Sequence, residues 1–326
     1  MNGTNDMTMS AAPKIAPPSK NKARRKSLLQ RMLGYRYVYL LLLPGIVTLI
    51  VFNYFPMYGI QLAFKNFRFI DGIWGSPWVG FDNFTMIFST PGFMSVLKNT
   101  LIISVMKLIT GYPVPIILCL LLNELKSTRF KKVTQTVLYL PHFLSWVIIA
   151  GLIYNIFSAT GGLYGKVFRD LFQSTPTPIL TDVDFFRPLL YISSIWKSAG
   201  WNMIIFLAAI AGIDPGLYES AALDGANRFQ KAIYITLPSL AFAISITLIL
   251  SLGGIMSAGF DQVFNLYSPQ VYAKGDIIDT YIFRLGVGQG RFDVATAIGL
   301  FNSVVGLVLI LLANKIAGLL GDHAIF

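Results

Sequence analysis

Six long apolar runs alternate with shorter polar segments along this chain. They lie at about residues 37–55, 100–122, 137–157, 189–210, 237–260 and 295–320. A helix needs about 20 mainly apolar residues to cross about 30 Å of hydrocarbon, and each run is close to that length or longer. Prolines at positions 44, 113, 115 and 141 predict kinks, which neighbouring helices can accommodate in a membrane. The pattern therefore predicts an all-α integral membrane protein with six transmembrane helices.

The composition agrees with a chain that is largely surrounded by lipid. Hydrophobic residues make up 55% of the chain and charged residues 13%, whereas a soluble domain carries about 25% charged residues. The net charge of +11 does not indicate nucleic-acid binding, because the basic residues lie mainly in the flanks between apolar runs. Cys119 is the only cysteine, so an intrachain disulfide and a metal site of several thiolates are excluded.

The distribution of Lys and Arg predicts that both termini are cytoplasmic. With the amino terminus inside, the inner segments hold 15 of these residues and the outer segments hold 8, as expected from the positive-inside rule. Residues 1–35 are polar and basic and lack the apolar region of a cleavable signal peptide. We expect a disordered cytoplasmic tail over 1–35, the transmembrane domain over 36–320, and a cytoplasmic C-terminus over 321–326.

The polar segment 213–236, between the fourth and fifth apolar runs, has the signals of a helix-turn-helix. Asp214 can cap a helix whose first residue is Pro215. Gly225 permits a turn at positive φ, and a second short helix is expected over 228–235, with Pro238 in the first turn of the fifth transmembrane helix. The alternative is an amphipathic loop on the lipid headgroups, which would leave the spacing of Glu219, Gly225 and Pro238 as coincidence.

The same segment resembles the coupling motif of the permeases of binding-protein-dependent ABC importers. The matching residues are Glu219, Ser220, Ala221, Ala222, Asp224, Gly225, Ala226, Phe229, Ile235, Leu237 and Pro238. The departure from the family pattern is Ser220, where the family has Ala, and a small side chain still allows close docking. The resemblance covers roughly residues 35–320 and is nearest to carbohydrate permeases of the maltose-transporter type.

The resemblance implies a fold, a set of partners and a membrane. The fold is that of the type I ABC importer permease in a bacterial cell membrane, with the motif inserted in a cleft of a separate ATPase and Glu219 facing basic residues there. The implied partners are a second homologous permease subunit, an ATPase dimer that holds ATP-Mg, and an extracytoplasmic sugar-binding protein. The chain itself has no phosphate-cradling Gly-Lys-Ser/Thr loop, so no cofactor and no enzymatic step are expected on it.

The resemblance also implies a carbohydrate substrate, an oligosaccharide from a complex polysaccharide. Polar and aromatic residues at membrane depth are candidates for its pathway, because such groups are costly there and usually face a cavity or a partner. The candidates are Asn155, Trp196, Ser198, Trp201, Asn202, Ser257, Phe260, Asp261, Gln262 and Asn302. For Trp196 and Trp201 an interfacial aromatic belt is the alternative.

Two other classes of membrane protein compete with this interpretation. An ion-coupled secondary transporter usually shows internal repeats and intramembrane carboxylates, and the six apolar runs contain neither a clear repeat nor more than isolated carboxylates. A membrane enzyme needs a nucleophile with a base, or paired acids, at membrane depth, and neither constellation is visible. The permease is therefore the preferred interpretation, and the secondary transporter is its alternative.

Overall fold

The computed structural model describes residues 35–320 of the chain and is almost entirely helical there. The tail expected over 1–35, apart from Tyr35, and the C-terminus expected over 321–326 lie outside the described residues. The α-helices are α1 (Arg36–Leu49), α2 (Phe55–Met57), α3 (Gly72–Gly75), α4 (Asp82–Ser89), α5 (Phe93–Gly111), α6 (Pro113–Asn123), α7 (Thr128–Tyr139), α8 (Trp146–Phe157), α9 (Leu163–Phe172), α10 (Val183–Ala211), α11 (Pro215–Leu223), α12 (Arg228–Lys231), α13 (Leu237–Ser239), α14 (Ala241–Gly253), α15 (Phe260–Leu266), α16 (Tyr272–Gly275), α17 (Ile278–Phe283) and α18 (Phe292–Leu320).

Short turns of other helical types extend several of these helices. Turns of π-helix occur at Ile50–Tyr54, Ala232–Thr236 and Arg284–Gly288, and turns of 3-10 helix at Tyr58–Phe64, Leu140–Phe143, Ile179–Thr181 and Pro269–Val271. Within residues 35–320 the only β pairing is an isolated bridge between Lys65 and Trp78.

Within residues 35–320 the chain divides into two compact units, with the boundary between Tyr58 and Gly59. In the first unit, α1 is strongly apolar and none of its residues is buried. It belongs to the helical stretch Arg36–Phe64, which is longer than the run predicted over 37–55.

Four helical stretches of the described region are long and apolar enough to cross a membrane. They are Arg36–Phe64, Phe93–Asn123, Val183–Ala211 and Phe292–Lys315. Two further pairs of helices pass the same test only if each bent pair counts as one span, which brings the total to six. The predicted runs 100–122 and 189–210 fall within these stretches, and the run 295–320 falls within α18. All three helices begin several residues earlier than predicted.

The third predicted helix, over 137–157, is broken in the structure. The segment Thr128–Phe143 ends near Pro141, and Trp146–Phe157 continues at an angle of 99° to it. Leu144 is extended, and the Ser145 side chain caps α8 by accepting from the backbone N–H of Ile148. The break frees backbone carbonyls, and Lys197 of α10 donates to two of them, His142 O at 2.8 Å and Leu144 O.

We expect Lys197→Met to destabilise this break. The substitution keeps most of the side-chain volume and removes charged hydrogen bonds to two carbonyls, and each such bond contributes about 1.5–3 kcal/mol. The melting temperature of the purified protein in detergent should fall clearly below that of a Lys166→Met control, which removes an exposed lysine of α9. Equal melting temperatures for the two variants would show that Lys197 does not stabilise the break.

The fifth predicted helix, over 237–260, is also not continuous. Arg228–Ser239 and Ala241–Gly253 meet at 59°, so Pro238 lies before the bend and not in the first turn of α14. The helix ends at Gly253, and a new helix starts after Gly259, whose φ is 91°. The apolar run continues through this interruption, because Ile255 and Met256 follow the helix end, and hydropathy alone therefore misses it.

Three clusters of buried side chains hold the second unit together. One joins α5, α8, α10 and α15 around Phe186, a second joins α5 and α18 around Phe93 and Ile298, and a third joins α6 and α10 around Met203 and Leu240. Helix α10 packs against α5, α6 and α7, and α14 packs against α18. The long helix α10 is therefore the central element of this unit.

Candidate functional site

The helix α11 is fixed at both ends by its own residues. The Asp214 carboxylate accepts from the backbone N–H of Gly216 at 2.9 Å, and Pro215 is the first helical residue. At the other end Gly225 has φ of 78°, and the N–H of Ala226 donates to Ala221 O at 2.9 Å. This is the hydrogen bond that defines a Schellman C-terminus, a motif that needs a left-handed residue at Gly225. The turn expected at Gly225 is therefore present.

The second helix, α12, begins in the same self-contained way and joins the bent helix pair. Asn227 and Gln230 form a reciprocal capping box, with distances of 2.8 and 2.9 Å. The helical path then runs without a break through Ala232–Thr236 to Ser239. The hydroxyls of Tyr218 and Thr236 lie 2.9 Å apart, so α11 is tied to the end of this path. We call residues 214–239 the knuckle.

The knuckle presents apolar side chains that the chain itself does not cover. Neither α11 nor α12 buries a single residue. Leu223 is 90% exposed and Phe229 is 73% exposed, and Glu219 also lies on the exposed surface. Large apolar side chains left uncovered on a polar segment indicate an interaction surface.

The structure places all the predicted coupling residues on the knuckle. The exposed members are Glu219, Ser220, Ala222, Asp224, Gly225, Phe229 and Pro238, and the half-buried members are Ala221, Ala226, Ile235 and Leu237.

The second feature is a cavity of about 470 Å³ between α5, α6, α10 and α14. This volume lies in the range of about 300–1,000 Å³ that is usual for small-molecule sites. Its polar lining consists of Ser104, Lys107, Tyr112, Ser194, Ser198, Asn202, Thr247, Ser251 and Ser257. The residues from α10 follow one another at intervals of four, as do the two from α14, so each helix turns one polar row towards the cavity.

One wall of the cavity carries an amino group. Lys107 Nζ donates to Ala258 O at 2.6 Å and to Gln262 Oε1 at 2.5 Å. The Gln262 amide in turn donates to Leu190 O and to the Ser193 hydroxyl, both at 2.8 Å. This chain of hydrogen bonds fixes Lys107 at the cavity and leaves Gln262 fully buried behind it.

Half of the predicted substrate-pathway residues lie in or beside a cavity. Ser198, Asn202 and Ser257 line the main one, and Gln262 lies behind it. Asn302 and Ser257 line a smaller cavity of about 240 Å³ next to α18. Ser257 also donates to Asp279 Oδ2 at 3.1 Å, and burial raises the pKa of Asp279 although this hydrogen bond opposes the rise.

The other predicted pathway residues are not brought together. Trp201 stacks on His142, with parallel rings 4.5 Å apart, and it does not line the main cavity. Trp196 is half exposed. Phe260 packs on the rings of Phe264 and Phe283, Asp261 is exposed, and Asn155 is exposed and donates to Gly151 O in its own helix.

Sequence reasoning missed six polar residues of the cavity: Ser104, Lys107, Tyr112, Ser194, Thr247 and Ser251. A signal was present in α5 and α6, where Ser104, Lys107, Gly111 and Pro115 recur at intervals of three and four in an otherwise apolar stretch. This spacing places them on one helix face.

The family model of the binding-protein-dependent transport system inner membrane component matches residues 111–322. The match includes the knuckle and most of the cavity wall. The chain therefore belongs to this family and is a multi-pass membrane permease subunit of an ABC transport system.

Two relatives from Bacillus subtilis (strain 168) are similar over most of their length. The polygalacturonan/rhamnogalacturonan transport system permease protein YteP is 40% identical over 315 residues, which is 97% of this chain and 98% of that protein. Protein LplB is 40% identical over 291 residues, which is 89% of this chain and 91% of that protein.

Solved structures show the same fold. The crystal structure of a bacterial ABC transporter involved in the import of the acidic polysaccharide alginate contains a chain that is 41% identical. The TM-score is 0.81, and the match covers 89% of this chain and 98% of that one. A structure of the bacterial alginate transporter in complex with an alginate pentasaccharide-bound periplasmic protein gives a TM-score of 0.80 at 41% identity.

Proposed function

We propose that this permease carries a carbohydrate, an oligosaccharide from a complex polysaccharide, into the cell at the expense of ATP hydrolysed by partner subunits. The observation that carries the proposal is the cavity between apolar helices, whose hydroxyls and Asn202 amide suit the hydroxyl groups of a sugar. The substrates of the similar proteins, polygalacturonan and rhamnogalacturonan for YteP and alginate for the solved transporter, support the same class.

The complex that we propose has a second homologous permease subunit, an ATPase dimer that binds ATP-Mg, and an extracytoplasmic sugar-binding protein. In this arrangement each bent helix pair counts as one span, the chain crosses the membrane six times, and both termini are cytoplasmic. The excess of Lys and Arg in the inner segments supports this orientation.

The knuckle is the contact with the ATPase in this proposal. Its uncovered Leu223 and Phe229 would enter a cleft on the ATPase, and Glu219 would face basic residues there. Closure of the two ATPase subunits on ATP would move the knuckle as a rigid body and change the access of the cavity from one membrane face to the other. The residues named for coupling and for the pathway thus have separate tasks.

Reconstitution of the complex in proteoliposomes tests the proposed function. Uptake of labelled oligogalacturonate should require ATP on the ATPase side and the binding protein on the opposite side. Uptake that follows an ion gradient with no ATPase present would instead establish the secondary transporter. No uptake of any oligosaccharide from a panel of acidic and neutral sugars would overturn the carbohydrate assignment.

A further inference from the structure

The cavity contains a positive charge that no acidic side chain neutralises. Within residues 35–320, no carboxylate forms an ion pair with Lys107. The described residues that line the cavity include no Asp or Glu. An ionisable side chain among membrane-spanning helices is costly, and such residues usually mark a substrate or ion pathway.

The two partners of Lys107 are neutral oxygens, one from the Ala258 carbonyl and one from the Gln262 amide. An ammonium group has three N–H donors, so these bonds use two of them. Neutral acceptors solvate a charge without compensating it, and a partly buried cation gains most from an anionic partner. The third donor and the charge are therefore available to a group in the cavity.

Ser104 gives a second and independent observation at the same place. Its hydroxyl lies one helical turn before Lys107, lines the cavity, is buried, and has no hydrogen-bond partner among the described residues. Buried polar groups are normally hydrogen-bonded, so an exception calls for a specific reason. A ligand oxygen beside Lys107 would satisfy this hydroxyl as well.

We propose that Lys107 binds a carboxylate of the transported sugar, so that the cavity itself selects an oligosaccharide containing uronic acid. This inference rests on the proposed function and deepens it, because it assigns the charge selection to the permease as well as to any binding protein. Lys107 then acts as a specificity-determining residue, with Ser104 and the Asn202 amide as neutral neighbours in the same cavity.

A purely structural role for Lys107 is the competing explanation. Its bond to Ala258 also holds the non-helical stretch after α14, much as Lys197 holds the break before α8. A structural lysine would affect stability and every substrate alike, whereas a selective lysine affects acidic substrates in particular. The experiment must therefore vary the substrate charge and the protein charge separately.

The test uses the full complex in proteoliposomes with tetragalacturonate and neutral galactotetraose as probes. We expect Lys107→Gln to lower the uptake of tetragalacturonate by about tenfold or more, because the charge-assisted contact is lost. Lys107→Arg should retain most of the uptake. The matched control is Lys98→Gln, which removes an exposed lysine of the same helix outside the cavity and should leave uptake unchanged. Asn202→Asp, which adds a carboxylate to the cavity, should also lower tetragalacturonate uptake.

Each contrary outcome has a distinct meaning. Uptake of tetragalacturonate by Lys107→Gln within about twofold of the wild type would overturn the inference, since loss of a charged hydrogen bond exceeds that factor. If Lys107→Gln melts at a lower temperature and Asn202→Asp transports normally, Lys107 is structural and the inference also fails. A wild-type complex that takes up only galactotetraose would overturn the inference and leave the proposed function standing. Uptake of no sugar at all would overturn the proposed function itself.

Discussion

Reversal of charge at Glu219, or of polarity at Leu223, should separate the permease from its ATPase while the permease stays folded. Leu223 is 90% exposed and α11 buries no residue, so Leu223→Asp changes almost no buried surface. In the proposed complex the same side chain is an apolar anchor, and loss of a central anchor of an interface costs about 2 kcal/mol or more, at least about thirtyfold in affinity. Glu219→Lys would bring a positive charge against the basic residues proposed to face it.

The measurement is the amount of ATPase that co-purifies with the tagged permease, together with the substrate-stimulated ATPase rate. The matched controls are Leu171→Asp and Asp170→Lys, which make the same chemical changes at exposed positions of α9, a helix that the proposed topology places on the opposite face of the membrane. Normal ATPase retention and normal stimulation in both Glu219→Lys and Leu223→Asp would rule out the knuckle as the coupling surface.

A side chain at Gly200 should prevent α10 from packing against α7. A Cβ atom at this position would lie 2.0 Å from Leu138 O and 2.5 Å from the carbonyl carbon. Both are backbone atoms, so no flexible side chain can move away to relieve the contact. We expect Gly200→Ala to destabilise the protein by about 3 kcal/mol or more, the upper range for overpacking, and Gly200→Leu to prevent accumulation of folded protein.

Gly151→Ala in α8 is the matched control, because a Cβ there meets nothing within 4 Å. Glycine inside a helix is less favourable than alanine by about 1 kcal/mol, so this control should be neutral or stabilising. Size-exclusion profiles and melting temperatures in detergent compare the variants. A Gly200→Ala protein as stable as Gly151→Ala would mean that α7 and α10 are not in this close contact.

The knuckle could be predicted from sequence because its signals are local. Asp214 and Pro215 start α11, and Gly225 ends it. Each of these signals depends only on residues a few positions away along the chain. Pro141 predicts a kink in the third run, but the size of the break there, and the break in the fifth run, could not be predicted from local signals. At the first break, donors to the free carbonyls of His142 and Leu144 come from Lys197, which lies more than fifty residues away along the chain.

The cavity was predictable only in part, for a related reason. Ser198 and Asn202 stand out as polar residues in an apolar run, and the structure does place them at the cavity. For an aromatic residue such as Trp201, the sequence does not indicate whether the side chain points to the cavity. In the structure Trp201 stacks on His142. The sequence alone does not show which way Lys107 points, and its place in the same cavity as Asn202 follows from how α5 packs on α10.

The bend at Leu240 joins two helical segments, the end of the knuckle and α14, which meet at 59°. Leu240 is completely buried in a cluster with Cys119, Met203 and Phe206, so packing holds the bend in place. The segment before the bend is the unbroken helical path Arg228–Ser239, and the Tyr218 hydroxyl is hydrogen-bonded to it at Thr236. The segment after the bend, α14, carries Thr247 and Ser251 on the cavity wall. In the proposed mechanism, a force on the helical path Arg228–Ser239 would therefore reach the hydroxyls of Thr247 and Ser251 as a rotation about Leu240.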